Sequence, residues 1–225
     1  MEPIIIVEDL HKSFSRNEKL NNEVLKGVTF QVEKGECLGL VGESGCGKST
    51  MARILTGLIP ATKGEVYVGG EVLKGVRMGT QMVFQNPNES FNPRKTIGFG
   101  IGEGLKNKGL SKTEINAKVE QLLEMCGLPK EMAKKYPHQI SGGQCQRAAI
   151  ARALSVDPEI LICDEATSSL DVTVQKQIIE LLQELRKKRD ITIIFISHNL
   201  PLVEMFCDRA IFIENGVIKR TFVST

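Results

Sequence analysis

Gly42-Glu43-Ser44-Gly45-Cys46-Gly47-Lys48-Ser49-Thr50 fits the pattern G-x-x-x-x-G-K-[ST], and this run restricts the fold of the chain more than any other. The pattern works only between a strand and a helix. Cys37 to Val41, just before it, is apolar throughout, as expected of a strand buried on both faces of a sheet. Thr50 to Leu58, just after it, reads as a helix ending near Gly57. Such a loop solves a charge problem. Phosphates are held by backbone N–H groups and a helix N-terminus, without side-chain bulk. Gly45 and Gly47 permit the unusual dihedrals and the close approach. Lys48 adds a point charge, and Ser49 offers a hydroxyl to Mg²⁺. Cys46, set among N–H groups near a lysine, is readable as a reactive thiol or as a passive loop residue.

The rest of the chain reads as strands alternating with helices. Ile4 to Val7 and Val24 to Val32 are strand-like, with a polar loop over Asn17 to Asn22. Gly64 to Leu73 predicts a hairpin turning at Gly69-Gly70. Gln81 to Gln85 predicts a strand that leads into a polar, proline-broken loop from Asn86 to Arg94. Residues 96 to 135 carry helical periodicity, with Ile115, Val119, Leu122, Leu123 and Cys126 on one face and a break at Gly127-Leu128-Pro129. Glu159 to Cys163 and Ile191 to Ser197 read as buried strands, Val172 to Lys188 as a long amphipathic helix, Leu200 to Cys207 as a helix, and Ala210 to Lys219 as a hairpin around Asn215-Gly216. The pattern predicts an α/β protein with a mostly parallel sheet.

Two further motifs carry chemistry. Ser141-Gly142-Gly143-Gln144 places a hydroxyl and small residues before the helical stretch Gln146 to Leu154, where free N–H donors and positive dipole character suit a phosphate. Taken alone it is equally readable as an ordinary N-cap. Asp164-Glu165 closes the apolar strand that follows. Two carboxylates there can divide the work: Asp164 holding Mg²⁺ through water, Glu165 orienting and polarising an attacking water.

A G-x-x-x-x-G-K-S loop, then Ser-Gly-Gly-Gln, then Ile-Leu-Ile-Cys-Asp-Glu resembles the ATP-binding cassette of ABC ATPases, and the likeness runs end to end. It implies a P-loop NTPase fold with a mostly parallel central sheet, an antiparallel β subdomain and a helical subdomain at about residues 86 to 155, all within one domain spanning 1–225. It implies that Gly42 to Thr50 bind ATP, with Phe14 stacking on adenine where a tyrosine is usual. It implies that Gln85, with Ser49 and Asp164, touches Mg²⁺, and that Glu165 and His198 act on the catalytic water. In that family Ser141, Gly142, Gly143 and Gln144 close over ATP held by another cassette, and Ser169-Leu170-Asp171 crosses between the two. One chain therefore supplies two half-sites and no complete one.

Within the family, the segments Gln85 to Arg94, Tyr136 to Gln139 and Ser169 to Gln175 resemble the ATPases of oligopeptide, dipeptide and nickel importers. Ile140 and Cys145 depart from the usual residues, and many such members carry a C-terminal extension beyond the last hairpin. The resemblance implies an ATP-hydrolysing importer subunit for peptides or nickel. It would sit at the cytoplasmic face of the membrane with integral membrane subunits, a second cassette and, indirectly, an extracytoplasmic substrate-binding protein.

Composition agrees with a peripheral protein. No apolar run approaches the ~20 residues that span a bilayer, and the first residues show no signal-peptide pattern. The six cysteines form no C-x-x-C pair and read as reduced thiols of a cytosolic protein. With 29 basic and 27 acidic residues, the chain lacks the charge excess of a nucleic-acid binder, and Arg186 to Arg189 read as a solvated helix end. The alternative is a soluble ABC ATPase acting on nucleic acid or the ribosome. Against it, only 56 positions separate Gln85 from Ser141, too few for the coiled coil of repair members, and there is one cassette rather than two. His11, His138 and His198 have no metal-ligand spacing, so no zinc site is expected.

Overall fold

The apolar runs fold into a parallel sheet whose two faces are both covered. In the computed structural model, which describes residues 3–15, 21–167 and 170–223, strands β1 (Pro3–Ser15), β2 (Asn21–Glu33), β4 (Lys63–Val68) and β5 (Glu71–Val72) form an antiparallel sheet in the order β2-β1-β4-β5. Strands β3 (Cys37–Val41), β6 (Thr80–Val83), β7 (Ile160–Asp164), β8 (Thr192–Ile196), β9 (Arg209–Glu214) and β10 (Val217–Val223) form a second sheet, ordered β10-β9-β3-β8-β7-β6. Its pairings are parallel except for the β9–β10 hairpin.

Side chains on β3 alternate between two cores. Cys37 and Val41 face a helical layer, whereas Leu38 and Leu40 face the antiparallel sheet. The same split separates Ile193 and Phe195 from Ile194 and Ile196 on β8. Both faces are dry, so both parities must be apolar, which is why these strands show no hydrophobic alternation. Helix α1 (Lys48–Leu55) packs on the side of the antiparallel sheet. Between β6 and β7 the chain makes α2 (Ile97–Asn107), α3 (Lys112–Met125) and α4 (Gly142–Leu154), with 3₁₀ turns at Pro87–Ser90, Lys130–Lys134 and Pro137–Gln139. Helices α5 (Val172–Arg189) and α6 (Leu200–Phe206) complete that layer.

Several boundaries differ from expectation. The first strand is thirteen residues long because it pairs with both β2 and β4. Of the loop expected at Asn17 to Asn22, residues 17–20 lie outside the described residues, and Asn21 and Asn22 already belong to β2. The periodic stretch 96–135 is two helices and a 3₁₀ turn. Ser111 begins α3 with a capping box to Glu114, and Gly127, at φ 69°, lies beyond its end. Helices α1 and α4 both start earlier than read, at Lys48 and Gly142.

Candidate functional site

The glycine loop leaves the C-terminal end of β3 and turns into α1. Gly45 (φ 82°) and Gly47 (φ 112°) occupy left-handed dihedrals, and a Cβ on Gly47 would come within 2.7 Å of Leu25 Cδ2. Both glycines are therefore required by backbone geometry. The first-turn N–H groups of α1 have no intrahelical partners, and Lys48, Ser49 and Thr50 line the cleft beside the loop. That cleft is lined by Val24, Ser44, Gly45, Gly47, Lys48, Ser49, Thr50, Gln85 and Glu165.

Lys48 is 4% exposed, and its ammonium donates to the carbonyls of Gly42 and Glu43 at 2.8 Å each. The loop thus holds its own cation in place. Cys46 is buried, with its sulfur 3.8 Å from Lys48 Nζ.

The acidic pair sits where β7 ends beside β8. Ser49 Oγ donates to Asp164 Oδ1 at 3.1 Å. Burial raises the Asp164 carboxyl above its ordinary range; the bond from Ser49 opposes this and the charge of Glu165 adds to it. A buried carboxylate beside a hydroxyl is a hard, all-oxygen donor set, which fits Mg²⁺. Glu165 adopts φ 47°, uncommon for a residue with a side chain, while its N–H donates to Ile196 O at 3.0 Å. Its Oε2 accepts from Gln85 Nε2 at 2.9 Å, and its Oε1 lies 3.6 Å from His198 Nδ1. Gln85, Asp164, Glu165, His198 and the glycine loop are therefore one group, drawn from four separate stretches of chain.

Phe14 is 44% exposed, with Lys12 Nζ over its ring at 5.0 Å, so it is not a core residue. It pairs with Asn22, two residues before the cleft residue Val24. The sequence reading names Val24 only as part of a strand and not as a site residue. Its contact with the loop is tertiary, created where β2 meets the β9–β10 turn through the Lys26 N to Gly216 O bond, and no local pattern signals it.

Ser141 to Gln144 lie elsewhere. Ser141, Gly143 and Gln144 line a different cleft with Gly127, Arg147, Val174 and Gln177, which shares no residue with the first. Ser141 Oγ accepts from Gln144 N at 3.3 Å and Gln144 Oε1 accepts from Ser141 N at 3.0 Å, a capping box that opens α4. Ser141, Gly142 and Gln144 are exposed. Asp171 caps α5, accepting from Val174 N at 3.0 Å; Ser169 lies outside the described residues.

A family profile described as ABC transporter matches residues 25–168. The oligopeptide transport ATP-binding protein OppF of Escherichia coli is 44% identical over 204 residues, covering 86% of this chain. This chain spans 61% of that relative's length. The di/tripeptide transport ATP-binding protein DppF of Pseudomonas aeruginosa is 40% identical over 96% of this chain and 71% of its own. Among solved structures, the ATP-binding cassette MJ0796, captured as a dimer in a post-hydrolysis state bound to ADP and Pi, superposes with a TM-score of 0.88 at 29% identity, over 98% of this chain and 99% of its own.

Proposed function

The chain belongs to the ABC transporter family, and on that premise we propose that it is the ATP-hydrolysing subunit of an importer, paired in a cassette dimer and coupled to membrane subunits. One observation carries the reading. The phosphate loop, Asp164 and Glu165 gather at one cleft, while the exposed Ser141–Gln144 helix start lines another. Each chain then offers two half-sites, and a second cassette, the same chain or a related one, completes each.

The chemistry follows from the residues. The N–H groups of Gly42 to Thr50 and the α1 N-terminus hold the phosphates, and Lys48 turns from the Gly42 and Glu43 carbonyls to the β- and γ-oxygens. Phe14 stacks on the adenine ring. Ser49, Asp164 and Gln85 would hold Mg²⁺, which would neutralise charge on the β- and γ-phosphates. Glu165 accepts a proton from the attacking water as oxygen adds to the γ-phosphorus and the bond to ADP breaks. Gln85 and His198 orient Glu165 from either side. Residues Ser141 to Gln144 of the second cassette close on the γ-phosphate, and Asp171 crosses between the two.

Among the described residues no helix is long and apolar enough to cross a membrane, and the proposal assigns the transport path to separate subunits. A helix from such a subunit fits the apolar groove between α2 and α3, where Phe99, Ile115, Val119 and Ala133 meet beyond the Gln85 loop. We take residues 86–155 as the helical subdomain that receives it and the cytoplasmic membrane face as its location. Peptides are the proposed cargo, from the printed names of the relatives, with nickel second; an extracytoplasmic binding protein would deliver it. The paired variants Lys48→Ala and Glu165→Gln test the site. Lys48→Ala should lose most MgATP affinity by calorimetry, whereas Glu165→Gln should bind MgATP and nearly cease hydrolysis. Near-wild-type affinity in the first, or near-wild-type turnover in the second, overturns the assignment.

A further inference from the structure

Gln146, in the second turn of α4, is 1% exposed, and neither its Oε1 nor its Nε2 has a hydrogen-bond partner among the described residues. An amide buried without a protein partner carries a desolvation cost that no hydrogen bond within the chain offsets. Its place in the fold suggests when it is used. Cys145 faces the 3₁₀ turn after Gln85, its sulfur 3.5 Å from Asn88 Oδ1. Gly143 faces α5, where a Cβ would meet Val174 Cγ1 at 2.7 Å. At about 100° per residue, Gln146 projects between these two directions.

Helix α4 also runs alongside β6. Its C-terminal end lies beside the start of that strand, because Asp157 N–H returns to Leu154 O and Glu159 N–H donates to Gly79 O. Its first turns therefore lie beside the other end of β6, where the chain passes into Gln85. Gln146 is thus directed at the segments that leave β6 and β7, residues 84–86 and 165–167. Those segments carry Gln85 and Glu165, already bonded to each other at 2.9 Å.

We propose that Gln146 is a positioning residue for hydrolysis. When the Ser141–Gln144 helix shifts as two cassettes close on ATP, its amide pairs with the backbone around Gln85 and Glu165 and fixes those side chains at the attacking water. The proposal rests on the cassette-closure reading above. An amide unpaired in the open form and paired in the closed one adds all of its hydrogen bonding to the closed form, and so biases the equilibrium toward it. A glutamine kept only for stability would be satisfied at rest.

Gln146→Met and Gln146→Leu keep the side chain's bulk roughly intact and remove the amide. Without nucleotide, both should melt higher than wild type, by about 2–4 °C for a chain of this size. Both should also hydrolyse MgATP about tenfold more slowly with little change in KM, the loss corresponding to a hydrogen bond made only on closure. In a Glu165→Gln background, ATP should drive less of the variant into a dimer on size-exclusion chromatography. A lower melting temperature, or failure of both variants to fold, overturns the proposal, because the amide is then paired at rest by protein or by an internal water. A higher melting temperature with unchanged turnover overturns it too. Absence of turnover in the wild-type chain at high concentration, both alone and mixed with a related partner cassette, overturns the cassette reading and this proposal together, an outcome distinct from a variant-specific loss.

Discussion

Asp164 is a carboxylate placed where the resting fold gains little from its charge. It is 7% exposed, burial is the largest influence on it, and that influence raises its proton affinity. A carboxyl whose folded-state pKa lies above its unfolded value binds its proton more tightly in the native state. Stability is then greatest below the unfolded pKa, falls as pH rises through the window between the two values, and stays low above it. Asp164→Asn removes this penalty and can keep the bond from Ser49. The nucleotide-free variant should therefore melt higher than wild type at pH 7, with the difference shrinking as pH falls below the carboxylate range. It should also lose the extra stabilisation that Mg²⁺ gives with ATP. Thermal melts across pH check both, and equal melting at pH 7 would show the charge is compensated in the resting chain. At this scale the sequence was informative, since Lys48, Ser49, Asp164 and Glu165 stand in motifs whose chemistry is local. The tilt of Glu165 toward Gln85 and His198 was not legible there, because it depends on a φ of 47° held by a bond to β8.

The α4 start separates two kinds of glycine demand. A Cβ at Gly143 would meet Val174 Cγ1 at 2.7 Å, whereas one at Gly142 would find only Leu170 Cδ2 at 3.8 Å, an ordinary contact. Gly143 is thus required by packing within the chain. Gly142 answers no steric demand of its own fold, and alanine favours a helix over glycine by up to about 1 kcal/mol. Gly143→Ala should lower the melting temperature. Gly142→Ala should leave it unchanged or raise it, yet reduce turnover, because in the proposed dimer the added methyl faces nucleotide on the other cassette. Unimpaired turnover in Gly142→Ala would mean nothing approaches that face. The same glycines explain why the sequence pattern alone starts α1 at Thr50 and α4 at Gln146. Glycine-rich runs have weak helix propensity, and only the capping box of Ser141 with Gln144, and the sheet beneath the loop, draw them into helices that begin at Gly142 and Lys48. Buried strands were legible almost to the residue, because a two-sided core forces continuous apolar runs.

Strand order is a property of the whole molecule, and no local pattern announced it. β8 lies between β3 and β7, so the phosphate loop and the Asp164–Glu165 corner open side by side across one intervening strand. The chain from β6 to β7 meanwhile carries Ser141 to Gln144 into a cleft that shares no residue with the loop's. On the proposed reading, a molecule built this way holds the reacting groups and the closing group in different places. It is therefore expected to hydrolyse ATP weakly on its own, as a monomer in dynamic exchange with a dimer. Specific activity should rise with protein concentration, roughly in proportion where dimers are rare, and level off where they predominate. Glu165→Gln with ATP should shift the chain toward a dimer on size-exclusion chromatography, since the closed form can assemble but not discharge. Mixing Lys48→Ala with Gly142→Asp should restore part of the activity each lacks alone. In the mixed dimer one composite site pairs an intact phosphate loop with an intact Ser141–Gln144, and the other carries both defects. If the partner is a different cassette, mixing wild-type chain with that cassette should exceed either one. Activity independent of concentration down to high dilution, together with no rescue in the mixture, would mean that one chain closes its own site.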